Sequence, residues 1–226
     1  MAILRGPNIV TDGLVLALDA ADKNSYIGSG TTWSDLSGNG NNATMNAAAI
    51  GTDVPGSMDF NGSSEYLTVT NSTSLQIAAN ITYEWWFKTT STSGEDWFFS
   101  NNIGSTPLAL SSIDNSGVIQ FQFTDDDGTT VNGNYTDTAT LTGWHHIALV
   151  CAGTTATLYT DTVQKITDTD GSFDTITLTT DFEIARDTRA DRYFAGFMDI
   201  FRIYNKALST KEVSQNFNAQ RSRFGV

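Results

Sequence analysis

The clearest structural signal in this chain is the heptapeptide Val118-Ile119-Gln120-Phe121-Gln122-Phe123-Thr124. Its apolar side chains fall on alternate positions, at Ile119, Phe121 and Phe123, and polar side chains fill the positions between them. A period of two places the apolar set on one side of an extended strand, as in an antiparallel sheet with one face in the core. The heptapeptide therefore predicts a half-buried β-strand.

Runs of the same character recur along the chain. They are rich in β-branched and aromatic residues, and turns such as Asn61-Gly62 and Asp127-Gly128 separate them. The predicted strands cover residues 14–18, 66–70, 81–89, 96–100, 118–124, 144–151, 155–160, 181–186 and 194–204. Many short strands with almost no helix predict an all-β fold, an antiparallel two-sheet β-sandwich or jelly roll. The side chains expected to face its interior are Leu16, Trp85, Phe87, Phe121, Phe123, Ile147, Leu149 and Ile203.

One short helix is predicted, close to the C-terminus. Ser209 and Glu212 have the spacing of a capping box, and Leu208 and Val213 have that of a hydrophobic staple. Val213 and Phe217 lie at positions i and i+4, which gives the helix a short apolar stripe. The residues after this stripe are expected to form a tail.

Composition excludes several classes of protein. The 226 residues carry a formal net charge of −13, which opposes binding to nucleic-acid phosphates. No apolar run approaches the ~18–20 residues of a membrane-spanning helix, and the first residues lack the apolar segment of an export signal. Cys151 is the single cysteine, so an internal disulfide is excluded. We expect a protein that is made in the cytoplasm, binds no nucleic acid and does not insert into membranes.

Several motifs occur in an order that resembles a known fold family. They are residues 13–20 (GLVLALDA), 32–42 (TWSDLSGNGNN), 60–63 (FNGS), 82–87 (TYEWWF), 143–148 (GWHHIA) and 196–209 (GFMDIFRIYNKALS). Together they resemble a laminin-G-like, concanavalin A-like jelly roll. The resemblance implies one jelly-roll domain over residues 13–217, with an N-terminal arm over 1–12 and a C-terminal tail over 218–226. Within that family, the two ends are similar to those of tailed-phage structural proteins.

The similarity to phage proteins leads to one functional prediction. The chain would be a non-enzymatic virion structural protein on the particle surface, most directly a capsid (head) decoration protein, or a protein of the fibres or tail. Its two ends would bind capsid or fibre subunits or hold a homo-oligomer together, because arginine and aromatic side chains are favoured at protein interfaces. The residues assigned to assembly are Leu4, Arg5, Arg221, Arg223 and Phe224.

The alternative prediction is a carbohydrate-binding module or a receptor-binding adhesin that recognises host or environmental glycans. Sugar sites need an exposed aromatic ring with amide or carboxylate groups beside it. Trp33, Trp97 and Tyr135 lie in polar, loop-like stretches and are the predicted aromatic platforms. The other tryptophans lie in predicted strands and are expected to pack in the core.

A calcium site is a further prediction. Calcium takes about six to eight oxygen ligands, and the loop at residues 35–42 is dense in oxygen-bearing side chains. The resemblance adds that related domains often bind calcium near their first and last strands. The predicted ligands are Asp19, Asn39, Asn41 and Asp199. A structural role is left open, in which Asp199 binds backbone amides or Arg202 and the loop residues serve the turn.

No catalytic arrangement is evident. A glycosidase needs two carboxylates across one cleft, and the predicted strand at residues 81–89 offers Glu84 alone. His145 and His146 are adjacent, so on a strand they point to opposite faces and cannot act together. We expect Glu84 to be a partly buried, hydrogen-bonded acid and the protein to have no enzymatic activity.

Overall fold

The fold is built mainly from β-strands, with one long helix at the end of the chain. The computed structural model describes residues 7–46, 49–50, 56–77, 80–90, 94–103, 106–173, 179–187, 189 and 191–226. In chain order the elements are β1 (Leu14–Asp19), β2 (Thr32–Trp33), β3 (Ala43–Asn46), β4 (Ala49–Ile50), β5 (Met58–Asn61), β6 (Tyr66–Val69), β7 (Asn80–Thr89), β8 (Glu95–Ile103), β9 (Thr106–Asp114), β10 (Val118–Thr124), β11 (Thr130–Thr136), β12 (His145–Ala152), β13 (Thr155–Thr160), β14 (Val163–Thr169), β15 (Phe182–Ile184), β16 (Arg186–Asp187), β17 (Arg192–Tyr193), β18 (Ala195–Tyr204) and α1 (Thr210–Phe224). Short 3₁₀ turns occur at Thr73–Leu75 and Thr138–Leu141.

The described strands form two eight-stranded sheets and a small two-stranded sheet. The first sheet has the order β14-β13-β12-β7-β18-β5-β4, and β1 also pairs with β18. The second sheet has the order β11-β10-β9-β8-β15-β6-β3-β2, and β16 pairs with β17. The pairings between these strands are antiparallel. The predicted fold class, an antiparallel two-sheet sandwich with one C-terminal helix, is confirmed.

The two sheets bury one apolar core between them. The eight side chains predicted to face inward all belong to it, and each is at most 2% exposed. Tyr83 from the first sheet stacks on Phe99 and Phe182 from the second, at 4.5 and 5.7 Å between ring centroids. Such aromatic pairs add about 0.5–1.5 kcal/mol beyond the area they bury. The alternating apolar residues in the sequence are therefore the residues that pack between the two sheets.

Helix α1 begins as predicted and ends later than predicted. The Ser209 hydroxyl accepts from the Glu212 backbone N–H while the Glu212 carboxylate accepts from the Ser209 N–H, which completes the capping box. Leu208 and Val213 are buried in one cluster, as a hydrophobic staple requires. The helix continues to Phe224, so residues 218–224, expected to be a tail, are helical. Residues 1–6 of the expected N-terminal arm lie outside the described residues.

Candidate functional site

Helix α1 lies on the outer face of the first sheet. Asn216 and Phe224 are buried there, and Phe217 is half-buried. The Phe224 ring stacks on Trp86 with 4.1 Å between the ring centroids, and it lies 4.9 Å from the ring of Trp144. The helix therefore shields the middle of this outer face from solvent.

Glu84 lies beneath the helix in β7, and none of its surface is exposed. Its Oε1 accepts a hydrogen bond from Arg202 Nη1 at 3.0 Å and lies 3.0 Å from His146 Nε2. Its Oε2 accepts a hydrogen bond from Asn216 Nδ2 at 2.6 Å. Burial by itself would raise the pKa of Glu84, but the hydrogen bond with His146 and the charge of Arg202 hold that pKa below its ordinary value. The hydrogen-bonded acid predicted here is present and is fully buried.

His145 has a carboxylate partner of its own. Its Nδ1 lies 2.7 Å from Asp161 Oδ2, and its Nε2 lies 2.9 Å from the carbonyl oxygen of Thr142. Burial lowers the pKa of His145, but the hydrogen bonds with Asp161 and the Thr142 carbonyl and the charge of Asp161 together outweigh it, so the pKa is raised overall. The two adjacent histidines therefore serve separate carboxylates, in agreement with their predicted opposite directions.

Two of the predicted calcium ligands meet at the other end of the helix. Asp19 and Asp199 are bridged by Arg223, whose Nη1 lies 2.7 Å from Asp19 Oδ1 and 3.1 Å from Asp199 Oδ2. Its Nη2 donates to Asp19 Oδ2 at 2.9 Å. Burial raises the pKa of Asp199 to about 6, although the charge of Arg223 acts against this shift. The cation between these carboxylates is a guanidinium of the same chain.

The other two predicted ligands serve the loop that contains them. Asn39 Nδ2 donates to the carbonyl of Leu14 at 3.3 Å, and Asn41 Nδ2 donates to the carbonyl of Val15 at 2.7 Å. Leu14 begins β1 and Asp19 ends it, about 16 Å away at the ordinary rise of a strand. The four residues are therefore not gathered around one point. Within the described part of the chain, no three His, Cys, Asp or Glu side chains are grouped for a metal ion.

The outer face of the second sheet is largely polar. Strand register aligns one row of side chains across it: Thr32, Thr44, Thr68, Glu183, Ser100, Leu110, Gln122 and Asn132. Both neighbours of Glu183 in β15, Phe182 and Ile184, belong to the core, so this row faces away from it. Apart from Ser100 and Leu110, which are buried, the row offers hydroxyl, amide and carboxylate groups on one surface.

The hairpin formed by β16 and β17 lies against β8 at this face and brings three arginines to it. The Arg186 guanidinium lies 4.4 Å from the ring centroid of Tyr66 and 5.5 Å from that of Tyr193. Its Nη2 donates to Asp191 Oδ1 at 2.8 Å, and its Nη1 lies 3.6 Å from Glu183 Oε2. Two half-buried tyrosines, a guanidinium and two carboxylates therefore share one edge of the polar face.

The other arginines of the hairpin lie over Trp97. The guanidinium groups of Arg189 and Arg192 are 5.4 and 5.6 Å from the ring centroids of its indole. Arg189 is paired with Asp187 at 2.9 Å, and Arg192 is paired with Glu95. Each arginine of the hairpin thus has a carboxylate partner, which neutralises most of its charge.

The expectation that Trp33 and Trp97 are exposed aromatic platforms is wrong. Trp33 is 0% exposed and belongs to the core cluster, and Trp97 is 4% exposed beneath the hairpin. Both residues lie in strands, although Trp33 has polar neighbours on both sides in sequence and Trp97 follows two acids. Tyr135 is half-buried, packs against the core and has Lys165 Nζ 5.4 Å from its ring centroid. The aromatic rings at the polar face are those of Tyr66 and Tyr193 instead.

Some polar atoms at this face have unused hydrogen-bonding capacity. Among the described residues, no partner is found for Ser112 Oγ, Trp97 Nε1 or Arg186 Nε, and Ser112 and Trp97 are paired across β8 and β9. Burial raises the pKa of Glu183, and the charge of Arg186 offsets this only in part. Polar atoms left without a partner are candidates for contact with a ligand or an ordered water.

The residues predicted for assembly have different locations. Arg221 is exposed on α1, whereas Arg223 and Phe224 contact the first sheet of their own chain. Leu4 and Arg5 lie outside the described residues. In the part of the chain that the structure describes, no helix is long and apolar enough to cross a membrane.

Comparison with solved structures finds the same fold in toxin domains. The binding domain of Paraclostridial Mosquitocidal Protein 1 superposes with a TM-score of 0.74 at 18% identity, covering 92% of this chain and 52% of that one. The receptor-binding domain of botulinum neurotoxin C/D mosaic serotype gives 0.72 at 16% identity, covering 93% and 52%. The binding domain of serotype G gives 0.70 at 19% identity, covering 92% and 51%. This chain thus spans about half the length of these domains, and the likeness is one of fold.

Comparison with families gives a direct match. No curated protein sequence is similar to the chain. Residues 60–214 match the model of a laminin G-like family. That family is described as the Concanavalin A-like lectin/glucanases superfamily. That match spans more than half of the chain and covers strands of both sheets. The chain therefore belongs to this family of the concanavalin A-like lectins and glucanases.

Proposed function

We propose that the chain is a non-enzymatic glycan-recognition domain whose binding surface is the outer face of the second sheet beside the β16–β17 hairpin. The observation that carries this proposal is the difference between the two outer faces. The first is covered by α1, whereas the second presents a row of polar side chains next to Tyr66 and Tyr193. The fold it shares with receptor-binding domains of toxins is consistent with a recognition role.

The chemistry of this face suits a sugar ring. Aromatic rings pack against the apolar C–H side of a pyranose, and carboxylates and amides bind its hydroxyl groups. Tyr66 and Tyr193 supply the rings, and Glu183 and Asp191 supply carboxylate oxygens beside them. Arg186 connects this group, because it lies against both rings, donates to Asp191 and lies 3.6 Å from Glu183.

Charge favours a neutral glycan over an acidic one. The three arginines of the hairpin are paired with carboxylates, so they leave little positive charge to attract an anion. The whole chain carries −13, which repels uronic, sialic and sulfated sugars. Oligosaccharides built from neutral hexoses are therefore the proposed ligand class.

The absence of catalysis is part of the proposal. A glycosidase needs an acid and a second carboxylate free to act on both sides of a scissile bond. Glu84 is sealed under the helix, and Asp187 and Asp191 are each bonded to an arginine, so none of the three is a free second carboxylate for Glu183. Their arrangement supports a role in holding guanidinium groups over aromatic rings.

The proposed location is the surface of a tailed-phage particle, most directly the capsid head. The support for this location is the resemblance of both ends of the chain to phage structural proteins. The other possibility is a carbohydrate-binding module or adhesin unconnected with a particle. Quantitative mass spectrometry of density-purified particles decides between them: a fixed copy number per particle supports the phage role, and loss of the protein during purification contradicts it.

Glycan binding is tested with the Tyr66→Ala variant. An array of immobilised neutral and acidic oligosaccharides is probed first, and the best ligand is then titrated by calorimetry. Loss of the ring is expected to weaken binding about tenfold or more. The matched control is Tyr135→Ala, which removes a tyrosine packed against the core and is expected to leave affinity unchanged. Equal affinity in both variants, or binding to acidic glycans alone, would contradict the proposal.

A further inference from the structure

The end of helix α1 carries a positive charge to a pair of acids on the first sheet. Asp19 ends β1, and Asp199 lies in β18 at the irregularity between Met198 and Ile200. The Asp199 side chain is fully buried, and that of Asp19 is 14% exposed. Two carboxylates this close together repel each other unless a cation is placed between them.

The guanidinium of Arg223 meets that requirement with good geometry. Both of its terminal nitrogens bond to Asp19, at 2.7 and 2.9 Å, and Nη1 also reaches Asp199 at 3.1 Å. A planar fork matches a carboxylate in this two-point manner, which an ammonium group cannot do. The Arg223 side chain is 27% exposed, so the contact is partly shielded from solvent.

A calcium ion does not fit the same place. It requires about six to eight oxygen ligands, and the amide groups once expected to help are used in the loop near the start of β1. Asp19 Oδ1 also accepts from the backbone N–H groups of Ala21 and Asp22, at 3.1 and 3.2 Å. Three of the four carboxylate oxygens therefore accept from N–H donors, and Asp199 Oδ1 alone has no partner among the described residues, too few free oxygens for a calcium site.

We propose that Arg223 is the built-in counter-ion of the Asp19–Asp199 pair, so that the domain needs no divalent cation there and the end of the helix is a fixed part of the domain. This inference is independent of the glycan site on the opposite face. It assigns to Arg223 a contact within its own chain in place of a contact with an assembly partner.

Thermal unfolding of the full chain tests this proposal, with calcium and with a chelator. The wild-type melting temperature is expected to be the same in both. Arg223→Met is expected to lower it by about 5 °C, because it leaves a buried carboxylate pair without its partner. Calcium is expected to leave this loss unchanged, because two carboxylates do not supply the oxygen ligands that the ion requires. The matched control is Arg221→Met, an exposed arginine of the same helical turn, for which no change is expected.

A second variant covers the case in which Arg223→Met does not fold. The double variant Asp199→Asn/Arg223→Met removes one buried charge together with the arginine, and it is expected to regain folding and most of the lost stability. The proposal is overturned if calcium raises the wild-type melting temperature, if Arg223→Met is as stable as Arg221→Met, or if the double variant is no better than Arg223→Met.

Discussion

The two sheets of the sandwich each carry a glutamate on their outer face, and the two carboxylates have opposite environments. Glu84 on the first sheet is fully buried beneath α1 with three polar partners. Glu183 on the second sheet is 15% exposed and lies 3.6 Å from a single arginine. The pKa of Glu84 is held below its ordinary value by these partners, and burial raises that of Glu183.

The difference reflects what covers each face. The helix brings Asn216 to Glu84, so the carboxylate exchanges its hydration for a complete set of hydrogen bonds. The hairpin brings Arg186 near Glu183 without closing the contact, and one carboxylate oxygen has no hydrogen-bond partner among the described residues. A carboxylate with all its hydrogen bonds made stabilises the fold, whereas one that keeps an unbonded oxygen is suited to contact with another molecule.

The largest effect is expected from Glu84→Gln. The change leaves Arg202 buried with its positive charge uncompensated, and breaking such a pair costs about 3–5 kcal/mol. Because the folded-state pKa of Glu84 lies below its ordinary value, its stabilisation is present above about pH 4.5 and is lost as the pH falls through the folded-state value. Urea unfolding at pH 7 measures the loss, and the variant should also show a weaker decline in acid. A loss below about 1 kcal/mol would mean that the helix does not seal this site.

The next largest effect is expected from Phe224→Ala at the end of the helix. Its ring is 7% exposed and stacks on Trp86, so its removal should cost about 3 kcal/mol. Hydrogen exchange should show that the last turn of α1 opens. Val226→Ala is the control, since Val226 is 48% exposed and should contribute almost nothing. Equal stability of the two variants would restore the idea of a free C-terminal tail.

Much of the fold could be predicted because alternation depends on local sequence. The strand at Val118–Thr124 was predicted with its observed ends, and the capping box located the start of the helix. The strand at Thr106–Asp114 was missed, since its serines and Pro107 do not alternate clearly with apolar residues. The end of the helix was also missed, because Phe224 is separated from the apolar stripe by polar residues. Its burial arises from Trp86 and Trp144, which lie far away in sequence.

The candidate site was harder to predict than the fold. Trp33 has polar neighbours on both sides in sequence and Trp97 follows two acids, but strand pairing and the hairpin bury both rings. The useful signal was the arginine repeat at positions 186, 189 and 192, followed by Tyr193. The role of this repeat depends on Tyr66, which strand pairing in the second sheet places next to Arg186. Because Tyr66 is far from the repeat in sequence, residue spacing alone does not connect the two.

The smallest effect is expected from Glu183→Gln, which tests the carboxylate on the uncovered outer face of the second sheet. The folded-state pKa of Glu183 is raised, so its contribution to stability is present in acid and is lost as the pH rises through that value. Glutamine cannot ionise, and the stability of the variant should therefore match that of the wild type near pH 4 and exceed it by about 0.5 kcal/mol at pH 7.

The same variant should weaken binding of a neutral oligosaccharide, because a carboxylate accepts hydroxyl hydrogen bonds more strongly than an amide does. A gain in stability with a loss of affinity is the signature of a residue kept for recognition. If Glu183→Gln instead loses as much stability as Glu84→Gln, both glutamates serve the fold. The outer face of the second sheet would then not be distinguished as the binding surface.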